Sequence, residues 1–304
     1  MPTRIFSVVV KSLLALALVA AIGIGVLWFR AYWPGETEMA GVQCTPDAPA
    51  WNAQSPLKVM SYNVQYMASK NYVFFYDIDV NDPARIAAVE NADKVVASFQ
   101  AEEDVHWTLE LVAEVILSED PDVVLLQVVN GGDDSLTNYI DQVNELISRL
   151  PGEMFACQTE SPYWKAEFIF HPNVMGPVNM KLLTLSKYRI TRSVRHQLPR
   201  IARSFVLEPF HFQRALLVSH IETDQGQTLA LLNTHFDAWG EGTDIMRRQI
   251  ARTKRVLSRL DKEDTPWILG GDLNLLPPDN NQQRASILAA GTGYYNEVPE
   301  LAPL

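Results

Sequence analysis

The chain alternates between two spacings of apolar residues, one typical of amphipathic helices and one typical of buried strands. Residues 108–120 have apolar side chains at helical spacing, namely Leu109, Val112, Ala113, Ile116 and Leu117. Pro121 ends this helix, and the continuous apolar run of residues 122–129 predicts a strand that is buried on both faces. The order of helix, proline and apolar run predicts a layered α/β domain.

The same two spacings predict the other regular elements. A first strand covers residues 57–64, a second amphipathic helix covers residues 136–150, and a later helix covers residues 246–260 before a short strand at 267–269. Further strands are predicted over residues 154–159, 166–171, 180–186, 189–198, 215–223 and 227–235.

Residues 65–104 have no sustained periodicity, so they predict a long surface loop with a short helix around residues 84–99. The alternative is a lip that contacts substrate or membrane through its aromatic side chains, Tyr72, Phe74, Phe75 and Tyr76.

The first part of the chain predicts a membrane anchor. Residues 12–29 contain no charged side chain, and a helix of this length can just cross a bilayer. Two basic residues precede the span and two acidic residues follow it, which predicts a single-pass protein with a cytoplasmic N-terminus and an extracytoplasmic domain. A cleaved signal peptide is the alternative, but the bulky sequence VLWFRAYW stands where a cleavage site needs small residues.

These patterns divide the chain into three parts. Residues 1–33 are the predicted membrane anchor, residues 34–56 are a proline-rich linker with little periodicity, and residues 57–304 are the globular domain. The chain has only two cysteines, Cys44 and Cys157. They could form a disulfide outside the cytoplasm, or Cys44 could be free and Cys157 buried and inert.

Charge narrows the classes of ligand. The 304 residues are 47% hydrophobic and carry a formal net charge of −11, which argues against tight, non-specific binding of duplex nucleic acid. Residues 181–214 nevertheless hold a run of basic side chains with Glu208 as the only acid. This run either attracts a phosphate-bearing substrate or is an ordinary solvated hairpin.

The stretch TPWILGGDLNLLPPDN, residues 265–280, contains the strongest candidate chemistry. Asp272 and Asn274 are two residues apart at a strand end, so their side chains project to the same side. A carboxylate can hold Mg²⁺ or orient a water, and an amide can donate to a phosphate oxygen. Gly270 and Gly271 would let a ligand approach the backbone, although the same residues also fit an ordinary turn.

Two other predicted strands also end in polar side chains. Asn63 closes the first strand, and His235 closes the strand that ends in NTHFDAW. A histidine at a strand end can bind or protonate a phosphoryl oxygen, while the alternative for both residues is a local structural hydrogen bond.

Four segments occur in order: SYNV, DPDVVLLQ, NTHFDAW and WILGGDLNLLPP. Together with MGPVNMKLLTLSKYRI they resemble the endonuclease/exonuclease/phosphatase family, the superfamily of DNase I, over residues 57–278. The resemblance implies a DNase I-like four-layer α/β sandwich, in which helices flank two packed β-sheets. It also implies phosphoester hydrolysis that depends on Mg²⁺ or Mn²⁺.

The resemblance assigns a role to each matching residue. Asn63 matches the asparagine near the metal and the attacked phosphate, and His235 matches the histidine that contacts phosphate. Asp272 matches the aspartate that orients water or metal, and Asn274 matches the asparagine that holds phosphate. The implied catalytic residues are therefore Asp272, Asn274 and His235, and the implied metal ligands are Asn63 and Asp272.

The chain departs from the family pattern at two points. Val128 stands where the family has the glutamate that is its main metal ligand, and an isopropyl group cannot ligate a hard cation. Asp133 or Asp134 would have to take over that role. The family also continues into a Ser-Asp-His segment, whereas this chain ends at Leu304 without one.

We therefore expect a fragment or degenerate copy of an anchored phosphoesterase with impaired metal binding and turnover. The alternative is a non-catalytic, membrane-tethered module that binds a phosphate-bearing ligand through His235 and Asn274. The sequence does not distinguish a lipid, a nucleotide or a nucleic acid as the phosphoester, and it indicates no protein partner.

Overall fold

The computed structural model describes residues 2–74, 83–91, 94–238 and 243–275. Its helices are α1 Pro2–Arg30, α2 Pro83–Asn91, α3 Glu102–Glu119, α4 Gln142–Arg149 and α5 Ile245–Lys262. Its strands are β1 Thr37–Met39, β2 Val42–Cys44, β3 Val59–Asn63, β4 Tyr72–Phe74, β5 Val95–Ala97, β6 Val123–Asn130, β7 Cys157–Ile169, β8 Gly176–Ser186, β9 Ile190–Gln197, β10 Ala215–Glu222, β11 Thr228–His235 and β12 Trp267–Asp272.

The strands form two five-stranded sheets and one small pair. The first sheet has the order β1-β9-β10-β11-β12, and the second has the order β2-β7-β8-β6-β3. Most neighbours are antiparallel, but β12 runs parallel to β11 and β3 runs parallel to β6. The carboxyl ends of β3 and β6 therefore meet at one edge of the second sheet, and those of β11 and β12 meet at one edge of the first.

The two sheets pack face to face between two layers of helices. In β6, Val123 and Leu125 pack against β11 of the first sheet, whereas Val124 and Leu126 pack against α3 and α4. The outer face of the first sheet packs against α5. The continuous apolar run of β6 is thus buried on both faces, as its sequence predicts. The four layers confirm the predicted fold class.

Buried hydrogen bonds also connect the sheets. The Gln127 side chain on β6 donates to Asn233 Oδ1 on β11 at 2.8 Å. Asn233 Nδ2 in turn lies 3.0 Å from the carbonyl oxygens of Leu126 and Leu183 in the second sheet. Because both side chains are buried, these hydrogen bonds fix how far the sheets can slide past each other.

Helix α1 has the length and composition predicted for a membrane span. Its apolar part covers Phe6–Arg30, and the most apolar window of this stretch has no buried residue. At about 1.5 Å per residue such a helix is long enough for the hydrocarbon core of a bilayer.

Residues 34–56 differ from the irregular linker expected from their prolines. Residues 37–39 form β1, which pairs with β9 at the edge of the first sheet. Residues 42–44 form β2, which pairs with β7 at the edge of the second sheet. Strands of three residues are too short to show a period of two in the sequence, so composition alone misses them.

Residues 65–104 also contain more structure than the predicted loop and helix. Helix α2 ends at Asn91, and β4 before it pairs in parallel with β5 after it. Phe74 is buried against Tyr66, so it forms part of the core instead of an exposed lip. Phe75 and Tyr76 lie outside the described residues. Other boundaries shift as well: α3 begins earlier than predicted, α4 begins at Gln142, and one long strand, β7, covers residues 157–169.

Cys44 and Cys157 form a disulfide, which decides between the two alternatives that the sequence leaves open. The two residues lie directly opposite each other in the β2–β7 pair, with their Cα atoms 4.1 Å apart. The cross-link therefore ties the segment after the anchor to the edge of the second sheet.

We expect the double substitution Cys44→Ala, Cys157→Ala to lower the free energy of unfolding by roughly 3–5 kcal/mol. The cause is that the disulfide joins residues 113 positions apart and restricts the unfolded chain. Urea unfolding of the full chain in detergent measures this difference. A reductant should lower the stability of the unsubstituted protein equally and leave the variant unchanged. An unsubstituted protein that is indifferent to reductant would contradict the prediction.

Candidate functional site

The polar residues predicted from the strand ends lie together where the two sheets meet. Asn63 is the last residue of β3, and His235 and Asp272 are register partners at the ends of β11 and β12. Asn63 Nδ2 donates to Asp272 Oδ2 at 2.7 Å, so one hydrogen bond joins the second sheet to the first. The site is thus built from both halves of the sandwich.

Both oxygens of the Asp272 carboxylate accept hydrogen bonds from the protein. Oδ2 accepts from Asn63, and Oδ1 accepts from the backbone N–H of Asn274 at 2.8 Å. The Asn274 side chain donates to the carbonyl oxygen of Phe236 at 2.8 Å, and Asn63 Oδ1 accepts from the Gln65 backbone. These contacts hold three of the four predicted site residues in fixed orientations.

His235 is buried between the sheets and is uncharged at neutral pH. Burial lowers the pKa of its imidazole well below the usual value, and the nearby Arg214 guanidinium lowers that pKa further. The Tyr163 hydroxyl lies 3.2 Å from His235 Nδ1, while Nε2 lies 3.7 Å from Asp272 Oδ2. A neutral ring at that separation forms no ion pair with Asp272.

Tyr163 and Arg214 are the two site residues that sequence reasoning missed. The Arg214 guanidinium lies 5.1 Å from the centre of the Tyr163 ring and 4.4 Å from that of Phe212. Its Nε lies 3.5 Å from Asp237 Oδ1. Tyr163 lies in the interior of a long strand and belongs to no motif. In the sequence, Arg214 is distinguished only as one of the basic residues in the run 181–214.

The basic side chains of residues 181–214 do not form one continuous surface. Arg195 and Arg214 are among the most deeply buried large side chains of the described chain. Lys181 pairs with Glu160 at 2.7 Å, and Lys187 pairs with Asp120 at 2.7 Å. The positive charges are therefore divided between the interior and separate surface ion pairs.

Gly270 and Gly271 lie where β12 packs closely against a neighbouring strand and the facing sheet. A Cβ on Gly270 would lie 2.7 Å from Leu125 Cδ1 of the facing sheet. Gly271 has a φ of +141°, and a Cβ there would lie 2.2 Å from the Thr234 carbonyl oxygen. The absence of a side chain lets β12 approach its neighbours closely. From the sequence, these glycines are instead expected to let a ligand approach the backbone.

Val128 lies at an irregularity in β6 that turns its side chain toward the site. The register with β8 shifts between Gln127 and Val129, and Val128 has a φ of +63°. This conformation is strained for a β-branched residue. The side chain is buried in an apolar cluster that includes Tyr66 and Tyr163.

The residues of this site do not fit a resident divalent cation. Among the four predicted site residues Asp272 is the only carboxylate, and both of its oxygens accept hydrogen bonds from protein donors. The candidate substitutes are engaged elsewhere, because Asp133 Oδ1 accepts from Asn179 and Asp134 accepts from backbone N–H groups of Leu136 and Asn179. Among residues 2–74, 83–91, 94–238 and 243–275, no group of three His, Cys, Asp or Glu side chains could hold a metal ion.

Comparison with known proteins gives a family match. Residues 60–296 match the model of the Endonuclease/Exonuclease/phosphatase family. No curated protein matches the chain.

Several solved structures are similar to the chain. An endonuclease/exonuclease/phosphatase from Beutenbergia cavernae is 20% identical, with a TM-score of 0.45; the match covers 72% of this chain and 47% of that protein. This chain thus spans about half the length of that relative. The human Nocturnin catalytic domain is 16% identical, with coverages of 83% and 73% and a TM-score of 0.42. A mannosyl-6-phosphatase from Bacteroides thetaiotaomicron is 15% identical, with coverages of 78% and 71% and a TM-score of 0.42.

We expect Arg214→Gln to raise the pKa of His235, because the substitution removes a cation that disfavours the imidazolium. The pKa should stay below that of a free histidine, since burial is the larger cause. NMR titration of histidine-labelled full chain measures it, with His235→Gln identifying the resonance. Arg192→Gln, beside His220, is the matched control and should leave the His235 titration unchanged. An unaltered pKa in Arg214→Gln would show that the guanidinium does not act on His235.

Proposed function

Because the chain belongs to the endonuclease/exonuclease/phosphatase family, we propose that its strand-end site binds a phosphoester and that hydrolysis there is impaired. The family and the similar structures are phosphoesterases and related hydrolases. Phosphoester binding uses donors that this chain retains. Efficient hydrolysis would need a metal-binding carboxylate that it lacks.

The retained donors suit a phosphoryl group. We assign the tautomer in which Nδ1 of the neutral His235 accepts from the Tyr163 hydroxyl, so that Nε2 carries the proton and can donate to a phosphoryl oxygen. Asn63 and Asn274 supply amide N–H groups beside it. Asp272 accepts hydrogen bonds only, so its role is to orient these amides and a water.

The buried Arg214 supports an anionic ligand. Among the described residues its Nε and Nη1 have no hydrogen-bond partner, although Asp237 lies 3.5 Å away. A buried guanidinium with unused donors is costly unless negative charge lies close by. A phosphoester bound at His235 supplies that charge.

The observation that carries the proposed impairment is the hydrogen-bonded Asp272 carboxylate, together with the apolar Val128 that packs in the same cluster as Tyr163. A Mg²⁺ or Mn²⁺ ion, expected for the family, would have to displace the amide of Asn63, and within the described parts of the chain no group of three His, Cys, Asp or Glu side chains could hold it. The competing function is a working hydrolase, and the tests below separate the two.

We also propose that the domain is tethered outside the cytoplasm, with α1 as a single-pass anchor and a cytoplasmic N-terminus. The Cys44–Cys157 disulfide supports an oxidising compartment, where such bonds persist. The site residues alone do not select among a lipid, a nucleotide and a nucleic acid as the phosphoester.

We expect the full chain in detergent to bind inorganic phosphate with an affinity that EDTA does not change. His235→Ala should abolish binding, because the Nε2 donor is lost, whereas His106→Ala on α3 is the matched control and should bind normally. Isothermal titration calorimetry gives both results. Failure of the unsubstituted chain to bind would refute the phosphate site and favour a purely structural domain.

We expect no Mg²⁺-dependent turnover of bis(4-nitrophenyl) phosphate above background, and Val128→Glu should create a Mg²⁺ response. In EDTA the buried glutamate should destabilise the fold by about 2–4 kcal/mol, since its charge lies in an apolar cluster. Adding Mg²⁺ should raise the melting temperature of Val128→Glu but not that of Val128→Gln. Robust turnover by the unsubstituted chain, lost in Asp272→Ala, would overturn the proposed impairment.

A further inference from the structure

The carboxyl end of α1 packs against the domain through aromatic residues. Trp28 Nε1 donates to the carbonyl oxygen of Phe205 at 3.2 Å, and the Trp28 and Phe205 rings lie 4.8 Å apart. Trp33 stacks edge-on against Trp28 at 5.0 Å. Arg30 forms a 3.0 Å ion pair with Glu167 near the end of β7. The carboxyl end of α1 thus lies directly against one face of the domain.

Large apolar side chains are exposed on that face. Phe205, Val206 and Leu207 form a consecutive exposed run, and Phe170 and Met175 are exposed in the β7–β8 hairpin; their exposed fractions are 66%, 53%, 53%, 61% and 56%. We call these five residues the apolar patch. Exposed apolar residues that cluster in this way mark a binding surface.

The two parts of the apolar patch are neighbours. Trp164 Nε1 on β7 donates to the Phe210 carbonyl oxygen at 3.1 Å, just after the exposed run. Phe210 packs against Ile169 and Val174, which flank the turn of the β7–β8 hairpin. The hairpin and the exposed run therefore lie beside each other and beside the end of α1.

We infer that the apolar patch inserts into the headgroup layer of the bilayer that holds α1. The contact between Phe205 and Trp28 is the reason for proposing a lipid surface. Because Trp28 lies within the apolar stretch Phe6–Arg30, a bilayer that surrounds this end of α1 would also contact the apolar patch. Tryptophan next to the end of an apolar span is typical of the membrane interface. The exposed Arg203, two residues before Phe205, adds attraction for anionic headgroups.

The position of the apolar patch also narrows the substrate, and this step rests on the proposed phosphoester function. A cavity of about 150 Å³ lies next to the patch, lined by residues that include Arg200, Arg203, Phe212 and Asp237. Asp237 is two residues after His235 and lies beside Arg214. The cavity therefore lies on the side of the site that faces the apolar patch, and we infer that a phosphoester held at the membrane surface would approach His235 from that side. A lipid phosphoester is thus the substrate class that this placement favours over nucleic acid.

Depth-dependent fluorescence quenching tests the insertion. Both native cysteines are in the disulfide, so a single added cysteine can be labelled selectively. The full chain carrying Val206→Cys, Leu117→Cys or Leu16→Cys, labelled with an environment-sensitive dye, is reconstituted into phosphatidylcholine–phosphatidylglycerol vesicles. Some of the lipid carries a nitroxide at the headgroup or along the acyl chain. Leu117 is exposed near the end of α3 and precedes β6, away from the strand ends that form the site.

We expect headgroup nitroxide to quench the dye at position 206 severalfold more strongly than the dye at position 117. Acyl-chain nitroxide should quench the dye at position 16. Equal quenching at 206 and 117 would overturn the insertion, and an unquenched dye at 16 would remove the anchor on which it depends. These readouts need neither phosphate binding nor hydrolysis, so they can fail or succeed independently of the proposed function.

The lipid preference is tested by affinity. The triple variant Phe205→Ser, Val206→Ser, Leu207→Ser should bind inorganic phosphate like the unsubstituted chain. It should also lose the additional affinity for a short-chain phosphatidic acid presented in the same vesicles. No difference between these two ligands in the unsubstituted chain would overturn the lipid assignment while leaving the phosphate site intact.

Discussion

The buried hydrogen bonds of Gln127 and Asn233 between the two sheets are the constraint on which the rest of the structure depends. They join buried amide side chains on facing sheets, and neither side chain can shift without leaving a polar group unsatisfied in the core. Asn63 is the register partner of Gln127, while Asn233 lies two residues before His235 on the same strand. Fixing this one pair therefore brings Asn63 next to Asp272 across the two sheets.

The site combines ordered polar side chains with one apolar side chain. Val128 is held in a strained backbone conformation and packs in the same cluster as Tyr163. The Asn63–Asp272 hydrogen bond joins the two sheets at this point. The arrangement remains ordered because protein donors satisfy the charge of Asp272. A site of this kind can be rigid and specific for an anion without being an efficient catalyst.

The sequence predicted the elements whose pattern is dictated by burial on defined faces. The apolar run of β6, the amphipathic stripe of α5 and the polar residues at strand ends all follow from local periodicity, so Asn63, His235, Asp272 and Asn274 could be named in advance. Tyr163 and Arg214 could not, because their place in the site depends on which sheets face each other. The basic run misled for the same reason: linear charge density does not reveal that Arg195 and Arg214 lie inside the fold.

The short strands β1 and β2 have a mechanical consequence. They follow α1 and pair with the edges of different sheets, and β2 is cross-linked to β7 at Cys44. Tension along the anchor would first break the Arg30–Glu167 ion pair and peel β1 from β9. Peeling would then stop at a covalent bond. A force transmitted through α1 therefore acts on the disulfide before it acts on Asn63. The disulfide protects the site from being deformed by such a force.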